Sequence, residues 1–184
     1  MAIVVSRYNA SITDPMRTGA ENAYAHAGGD PSRLSVIDAP GTFELPALAA
    51  KASRSGLFSG VVALGCVIRG ETDHDRHIAA AVAASLAHTG ADTGVPVAFG
   101  VLTVESIEQA RARAGGDKGN KGAEAMRAVL GTAAACAAID AAAASGQIPA
   151  AVPLAFETPD KADPQADPQP NSQADRAATS RGAG

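Results

Sequence analysis

The sequence predicts a single α/β domain built around a parallel sheet. Short apolar runs rich in β-branched residues alternate along the chain with longer segments of helical spacing, which is typical of strand–helix–strand units. Of the 184 residues, 46% are hydrophobic and 18% are charged. This balance is too apolar for a wholly disordered chain. The formal net charge of −4 is unlike that of a basic, nucleic-acid-binding surface.

The first two strand–helix units are predicted over residues 3–55. Residues 3–6 form a short β-branched run, typical of a strand that is buried on both faces of a parallel sheet. Pro15 suits the first turn of the helix that follows, and Gly28 and Gly29 end it. The second unit has a strand at 34–39, a turn at 40–42 and a helix at 43–55.

Two more units and a long final helix complete the domain. Residues 61–68 have the strongest strand pattern in the chain, and they precede an irregular segment and an alanine-rich helix at 74–88. A fourth strand is predicted at 95–102 and a short helix at 106–113. After a glycine-rich segment at 115–122, a helix runs from residue 123 toward residue 144.

The composition predicts a cytoplasmic domain followed by a tail. We expect the domain over residues 1–150 and a Pro/Ala/Asp-rich, disordered tail over residues 151–184. Cys66 and Cys136 lie in apolar runs, where buried free thiols are expected instead of a disulfide. The N-terminus lacks the basic region of a signal peptide, and charged residues or glycine interrupt each apolar run. The sequence therefore predicts no membrane and no nucleic acid among the partners.

Candidate ligand-binding residues follow the predicted strands. In open parallel sheets, ligands bind where strands end and helices begin. Tyr8 offers a ring for stacking, Glu44 offers a carboxylate, and the backbone of residues 70–72 can surround an anion at a helix N-terminus. His74 opens that helix, either as a residue that transfers protons near neutral pH or as a solvated cap.

Two further groups of side chains are candidate binding sites. His74 and His77 are one helical turn apart, but no third ligand lies at a fitting spacing, so no metal site is predicted. Arg113 can bind a phosphate bidentately, with Lys118 and Lys121 as point charges. The alternative for this glycine-rich segment is an exposed turn between two helices.

Five segments of the chain together resemble the lumazine synthase family. They are residues 6–9 (Ser-Arg-Tyr-Asn), 39–46 (Ala-Pro-Gly-Thr-Phe-Glu-Leu-Pro), 63–72 with His74, 99–103 (Phe-Gly-Val-Leu-Thr), and 107–122, which ends in Gly-Asn-Lys-Gly. Each segment is weak alone, but all five occur in the family's order across residues 2–140. The resemblance implies a flavodoxin-like three-layer α/β/α sandwich with a central four-stranded parallel sheet.

The resemblance also implies an activity and its residues. The family condenses 5-amino-6-ribitylaminouracil with 3,4-dihydroxy-2-butanone 4-phosphate, without a cofactor, in riboflavin biosynthesis. His74 matches the family's proton-transferring histidine. The substrate-binding residues implied for the ring and the ribityl chain are Tyr8, Asn9, Thr42, Phe43, Glu44, Cys66, Val67, Ile68, Phe99 and Lys121. Those implied for the phosphate are Glu71, Thr72 and Arg113.

The oligomeric state and the activity each have alternatives at the level of the sequence. The resemblance implies a homopentamer with active sites between subunits, and the Gly-Asn-Lys-Gly turn resembles that of members that build sixty-subunit icosahedral shells. Riboflavin synthase is a further partner that the resemblance suggests. Residues 75–77 (Asp-Arg-His) stand where the family usually has aromatic residues, and the tail has no counterpart. An inactive shell or scaffold, or a lumazine- or flavin-binding protein of the same fold, is therefore the alternative to an active enzyme.

Overall fold

A central four-stranded parallel sheet organises the computed structural model, which describes residues 1–149 and 151–153. The strands are β1 (Ala2–Ser6), β2 (Ser35–Ala39), β3 (Val61–Ile68) and β4 (Val97–Val104). Their order across the sheet is β2-β1-β3-β4, and every neighbouring pair is parallel. The predicted parallel α/β architecture is confirmed.

Helices cover both faces of the sheet and complete the three layers. The helices are α1 (Ala10–His26), α2 (Leu45–Ser53), α3 (His74–Thr93), α4 (Ile107–Arg113) and α5 (Lys121–Ser145). Short 3-10 turns lie at Pro31–Arg33 and Thr42–Glu44, and the strands β5 (Ala114–Gly116) and β6 (Gly119–Asn120) form a small antiparallel hairpin. Helices α1, α4 and α5 pack on one face of the sheet, while α2 and α3 pack on the other.

A hydrophobic core lies on each face of the sheet, which explains why the central strands are apolar throughout. Ile3 and Val5 belong to the core beneath α1 and α5, whereas Ala2 and Val4 belong to the core beneath α2 and α3. All four are fully buried, because alternate side chains of a strand point to opposite faces and both faces are covered. Each buried Val or Ile stabilises the fold by roughly 1.5–3 kcal/mol.

The first helix begins earlier than the sequence predicts. Pro15 was expected in the first turn, but α1 already starts at Ala10, so Pro15 lies inside the helix. Asn9 adopts a left-handed conformation with φ 63°, and its carbonyl accepts hydrogen bonds from the N–H groups of Ile12 and Thr13. Asparagine tolerates this conformation, so the chain reverses directly after β1.

Two other boundaries differ from the prediction for local reasons. Helix α3 extends five residues beyond His88, because the left-handed Gly94 ends it, not Gly90. Strand β4 starts at Val97 and not at residue 95. Pro96 cannot donate a ladder hydrogen bond, and its carbonyl instead accepts the N–H of Val61.

The expectation that charged residues or glycine keep every apolar run shorter than a membrane span does not hold for helix α5. Within the described residues it is the helix that is long and apolar enough to cross a membrane, judged by length and composition alone. Residues 128–145 contain one charged side chain, Asp140. The first half of α5 packs through Met126 and Val129 into the core, while most of the second half is exposed. Alanine content, not a continuous bulky apolar surface, accounts for its hydropathy.

The predicted tail lies outside the described residues from residue 154 onward. The boundary expected at residues 150–151 follows the end of α5 at Ser145 and the left-handed Gly146. The arrangement of the tail therefore remains a sequence-based prediction.

Candidate active site

The loops after all four sheet strands lie at one edge of the sheet. Because the strands are parallel, Ser6, Ala39, Ile68 and Val104 end their strands at the same side. Hydrogen bonds tie these ends together: Arg7 N–H donates to Ala39 O at 2.8 Å, and Arg69 N–H donates to Val104 O at 2.8 Å. This edge is where parallel α/β sheets bind ligands.

The turn between β1 and α1 presents an exposed aromatic ring on an anchored backbone. The Tyr8 side chain is 71% exposed. Arg7 forms a 2.6 Å ion pair with Asp14, which raises the pKa of the guanidinium. On the other side, the Asn9 amide nitrogen Nδ2 donates to the Cys66 carbonyl at 3.1 Å. The Tyr8 ring is therefore free to stack on a ligand while its neighbours are held.

The turn after β2 combines a buried hydroxyl with two exposed side chains. Thr42 is 6% exposed and packs against Gly65 of β3, where any Cβ would come within 3.0 Å of the threonine side chain. Its Oγ1 is buried and has no hydrogen-bond partner among the described residues. Phe43 and Glu44 are exposed beside it. A buried hydroxyl without a partner is costly unless a ligand or water completes it.

At the end of β3, beyond the last residue that pairs with β1, main-chain groups point toward the turn between β1 and α1. In a parallel ladder, alternate residues face the same neighbour, and both Val61 and Arg69 direct their N–H groups to the β4 side. Val67 therefore faces β4, while Cys66 and Ile68 face the turn that carries Tyr8. Burial raises the pKa of the Cys66 thiol to about 11, so that the thiol stays protonated near neutral pH.

The first turn of α3 carries the candidate proton-transfer residue. His74 is the first residue of α3 and is exposed, as are Glu71 and Thr72 in the loop before it. The carbonyl of Asp73, at the N-cap position, accepts the N–H groups of Arg76 and His77. The N–H groups nearer the start of α3 point toward the loop, which suits an anion. Among the described residues, no three His, Cys, Asp or Glu side chains are grouped to hold a metal.

A second set of candidates lies beside the edge strand β4. An open pocket of about 250 Å³ is lined by residues 101–104 of β4 together with Arg113, Lys118, Lys121 and Glu124. Lys121 pairs with Glu124 at 2.9 Å, and the guanidinium of Arg113 reaches the Gln109 carbonyl at 3.4 Å. The lining carries three cations and one carboxylate, and Asp117 lies 3.9 Å from Lys118 beside it. The net positive charge makes this pocket suitable for an anionic group.

Asn120, in the Gly-Asn-Lys-Gly segment, caps the start of α5 and links it to α1. Its Oδ1 accepts the N–H groups of Gly122 and Ala123 at 2.9 and 3.1 Å, and its Nδ2 donates to Pro15 O at 3.0 Å. A Cβ on Gly19 would overlap the Asn120 side chain. The sequence pattern marks this turn, but the contact with α1 spans 105 positions and is visible only in the structure.

The chain therefore presents its candidate residues on two separate surfaces. We call the first the rim surface, and it comprises Tyr8, Asn9, Thr42, Phe43, Glu44, Cys66, Val67, Ile68, Glu71, Thr72 and His74. We call the second the edge surface, and it comprises Phe99, Arg113 and Lys121. The structure brings Arg113 and Lys121 into one pocket, whereas Phe99, 39% exposed, lies farther back on β4 and does not line it. Arg69 and Glu105 pair with each other at 3.2 Å between the two surfaces.

Comparison with known proteins identifies relatives over most of the chain. Residues 1–137 match the family described as 6,7-dimethyl-8-ribityllumazine synthase. A protein of that name from Nitratidesulfovibrio vulgaris (strain DSM 19637 / Miyazaki F) is 46% identical over 131 residues, which are 71% of this chain and 84% of that protein. The protein of that name from Sulfurovum sp. (strain NBC37-1) is 47% identical, over 71% of this chain and 83% of its own length. The one from Xanthomonas oryzae pv. oryzae (strain PXO99A) is 46% identical, over 70% of this chain and 84% of its own length.

Proposed function

The chain belongs to the 6,7-dimethyl-8-ribityllumazine synthase family, and we propose that its rim surface and its neighbour's edge surface together carry out the family's reaction. It is an enzyme of riboflavin biosynthesis, a transferase that acts on small molecules. It condenses 5-amino-6-ribitylaminouracil with 3,4-dihydroxy-2-butanone 4-phosphate and releases phosphate and water. The single observation that carries the proposed site is the convergence of three strand–helix turns on the rim surface.

The rim surface holds the pyrimidine between a ring and a strand end. The exposed Tyr8 ring stacks on the heterocycle, and the N–H of Cys66 and the main chain of Ile68, which have no partner on the β1 side, bind its edge. Val67 contributes by pairing with β4, which keeps these groups aligned. Phe99 of a neighbouring subunit closes the ring pocket.

The ribityl chain is held by the turn at Thr42–Glu44. The buried Thr42 side chain packs against Gly65 of β3 and holds this turn in place, so that the main chain of the turn can bind substrate hydroxyls. The exposed Glu44 carboxylate accepts further hydroxyl hydrogen bonds, and Phe43 covers the chain. Lys121 of the neighbouring edge surface reaches the same side.

The phosphate is bound at the start of α3. The N–H groups of Glu71 and Thr72 lie just before the helix, where the backbone and the helix dipole both favour an anion. Arg113 of the neighbouring subunit adds a bidentate, charge-assisted contact. Lys118 and Lys121 raise the positive potential of that edge surface.

His74 moves protons next to the bound phosphate. Once the pyrimidine amine and the ketone have formed an imine, with loss of water, the His74 imidazole removes a proton from the carbon beside the imine carbon. The electron pair of that C–H bond forms a C=C bond and expels phosphate, which leaves an enol that tautomerises to a ketone. The ribitylamino nitrogen attacks the ketone carbon, and loss of a second water completes the ring. The remaining catalysis comes from holding two substrates in attack geometry, which offsets an entropic cost of several kcal/mol.

The separation of the two surfaces supports assembly into an oligomer. The edge pocket on β4 is lined by no residue of the rim surface, which supports a site completed between subunits of a homopentamer. The exposed alanine-rich half of α5 supplies apolar surface for such contacts. Pentamers either remain separate or build a sixty-subunit shell, and riboflavin synthase is the partner that would consume the product. The two free cysteines agree with a reducing, cytoplasmic location.

The proposed function is tested by measuring product and size together. Lumazine formation from the two substrates is followed by absorbance for the wild type, His74→Ala and the matched control His88→Ala, with light scattering on each sample. His88 is exposed in the C-terminal half of α3, 14 positions after His74 and the rim surface. We expect product from the wild type and the control, a rate lowered about 10²–10⁴-fold in His74→Ala, and equal particle sizes. An assembled wild type that makes no lumazine would favour an inactive shell or a ligand-binding protein.

A further inference from the structure

Strand β3 loses its partner on the β1 side at the point where the ligand-binding main chain begins. The ladder between β1 and β3 runs from Ala2 opposite Val61 to Val5 opposite Leu64. The ladder between β3 and β4 continues to Ile68. Beyond Leu64, the groups of β3 that face the β1 side therefore lack a strand to bond with, because β1 has turned into α1.

Asn9 replaces the missing strand with a side chain. Its amide nitrogen Nδ2 donates to the Cys66 carbonyl at 3.1 Å, across 57 positions of sequence. After the carbonyl of Leu64, this is the next carbonyl of β3 that faces the β1 side. The Asn9 amide thus extends the hydrogen bonding of the sheet beyond the end of its backbone.

The same residue fixes the backbone that carries Tyr8. Asn9 has φ 63° and ψ 42°, and its carbonyl accepts the first hydrogen bonds of α1 from Ile12 and Thr13. Before Tyr8, the Arg7 N–H donates to Ala39, so the aromatic residue is held on both sides. The bond between Asn9 and Cys66 is the link from this turn to the main chain of the end of β3.

The resemblance implies a substrate-binding role for Asn9, but its amide N–H already donates to Cys66. We propose that Asn9 is instead a positioning residue that sets the distance between the Tyr8 ring and the main chain at Cys66–Ile68, and thereby the affinity for the pyrimidine substrate. The proposal rests on the proposed function, because it assigns stacking and edge binding to these two elements. It predicts that the loss of the Asn9 amide affects the pyrimidine substrate and leaves the four-carbon phosphate substrate, bound at the start of α3, nearly unaffected.

Asn9→Gly separates the hydrogen bond from the backbone conformation. Glycine adopts a positive φ without strain, so the turn keeps its shape while the amide is lost. Asn9→Asp retains the size of the side chain and tolerates the left-handed conformation, but near neutral pH its carboxylate cannot donate to Cys66. Asn22→Gly is the control, since Asn22 is exposed on α1 and its replacement weakens the helix away from the site.

The experiment measures kcat and the KM of each substrate separately for the assembled wild type and the three variants. We expect both Asn9 variants to raise the KM of the pyrimidine substrate about five- to tenfold, and the KM of the phosphate substrate less than about twofold. Asn22→Gly should match the wild type in both KM values. A merely structural role for Asn9 would change stability or kcat without this split.

Three outcomes overturn the proposal. They are an unchanged pyrimidine KM in either assembled Asn9 variant, an equal rise in both KM values, and a split of the same size in Asn22→Gly. If Asn9→Gly does not assemble, Asn9→Asp decides the question on the same criteria. A wild type that forms no lumazine refutes the proposed function itself, and the wild-type control of this experiment therefore distinguishes the two failures.

Discussion

Replacing Asn120 is predicted to weaken the contact between α1 and α5 in a graded way. Asn120→Ala removes the two acceptor contacts to Gly122 and Ala123 and the donor contact to Pro15. Asn120→Asp keeps the acceptor contacts, places a negative charge at the N-terminus of α5 and removes only the donor. The two variants therefore divide the role of the side chain into a helix cap and a link between helices.

The magnitude follows from the groups that each variant loses. Loss of an N-cap acceptor costs about 0.5–2 kcal/mol, and loss of one hydrogen bond to a carbonyl costs about 0.5–1.5 kcal/mol. Asn120→Ala should therefore lower the free energy of unfolding by about 1–3.5 kcal/mol. In Asn120→Asp, the charge at the helix N-terminus recovers about 0.3–1 kcal/mol, so the net loss should be about 1 kcal/mol or less.

Urea unfolding followed by circular dichroism measures both changes. All samples need the same protein concentration, because subunit association adds to the apparent stability. The expected order of stability is wild type, then Asn120→Asp, then Asn120→Ala. The reasoning is refuted if Asn120→Ala is as stable as the wild type, or if Asn120→Asp is the less stable variant.

Two further predictions concern Cys66 and the glycines of the helices. Burial raises the pKa of Cys66 to about 11 from its ordinary 9.0, so the stability that depends on its neutral thiol is complete below pH 9 and is lost as the pH rises toward 11. Urea unfolding at pH 8, 9.5 and 11 should show this decline in the wild type and a smaller one in Cys66→Ala. A Cβ on Gly122 would overlap the main chain of α1, whereas one on Gly90 would meet atoms at 3.6 Å or more. Gly122→Ala should therefore destabilise the fold by about 1–3 kcal/mol. Gly90→Ala should leave the stability unchanged or raise it by up to about 1 kcal/mol, and equal effects of the two substitutions would contradict the packing argument.

The sheet could be predicted from the sequence because its strands are buried on both faces. Continuous apolar runs such as residues 61–68 leave few alternatives, and the structure places β3 over these same residues. The small hairpin β5–β6 was not predicted, since glycine-rich segments carry little pattern. The boundary errors have local causes. A left-handed Asn9 starts α1 before Pro15, and Pro96 delays β4, and both effects depend on backbone conformations that side-chain periodicity does not report.

The candidate residues could be predicted individually, but their grouping could not. His74 and Arg113 are candidates from the sequence, yet only the structure shows that Arg113 shares a pocket with Lys118 and Lys121 beside β4. The hydrogen bonds of Asn9 and Asn120 join segments 57 and 105 positions apart. Such contacts depend on how helices and strands pack, and a linear pattern in one chain does not encode them.

Complementation between two damaged subunits tests the shared site most directly. His74→Ala damages the rim surface and Arg113→Ala damages the edge surface, and the two chains are co-expressed in equal amounts and purified as mixed assemblies. If each site joins the rim surface of one subunit to the edge surface of its neighbour, about one quarter of the sites in a random mixture contain both intact residues. The predicted result is lumazine formation well above the mean of the two parent variants, approaching a quarter of the wild-type rate. Activity equal to that mean, in assemblies shown to contain both chains, would contradict the account.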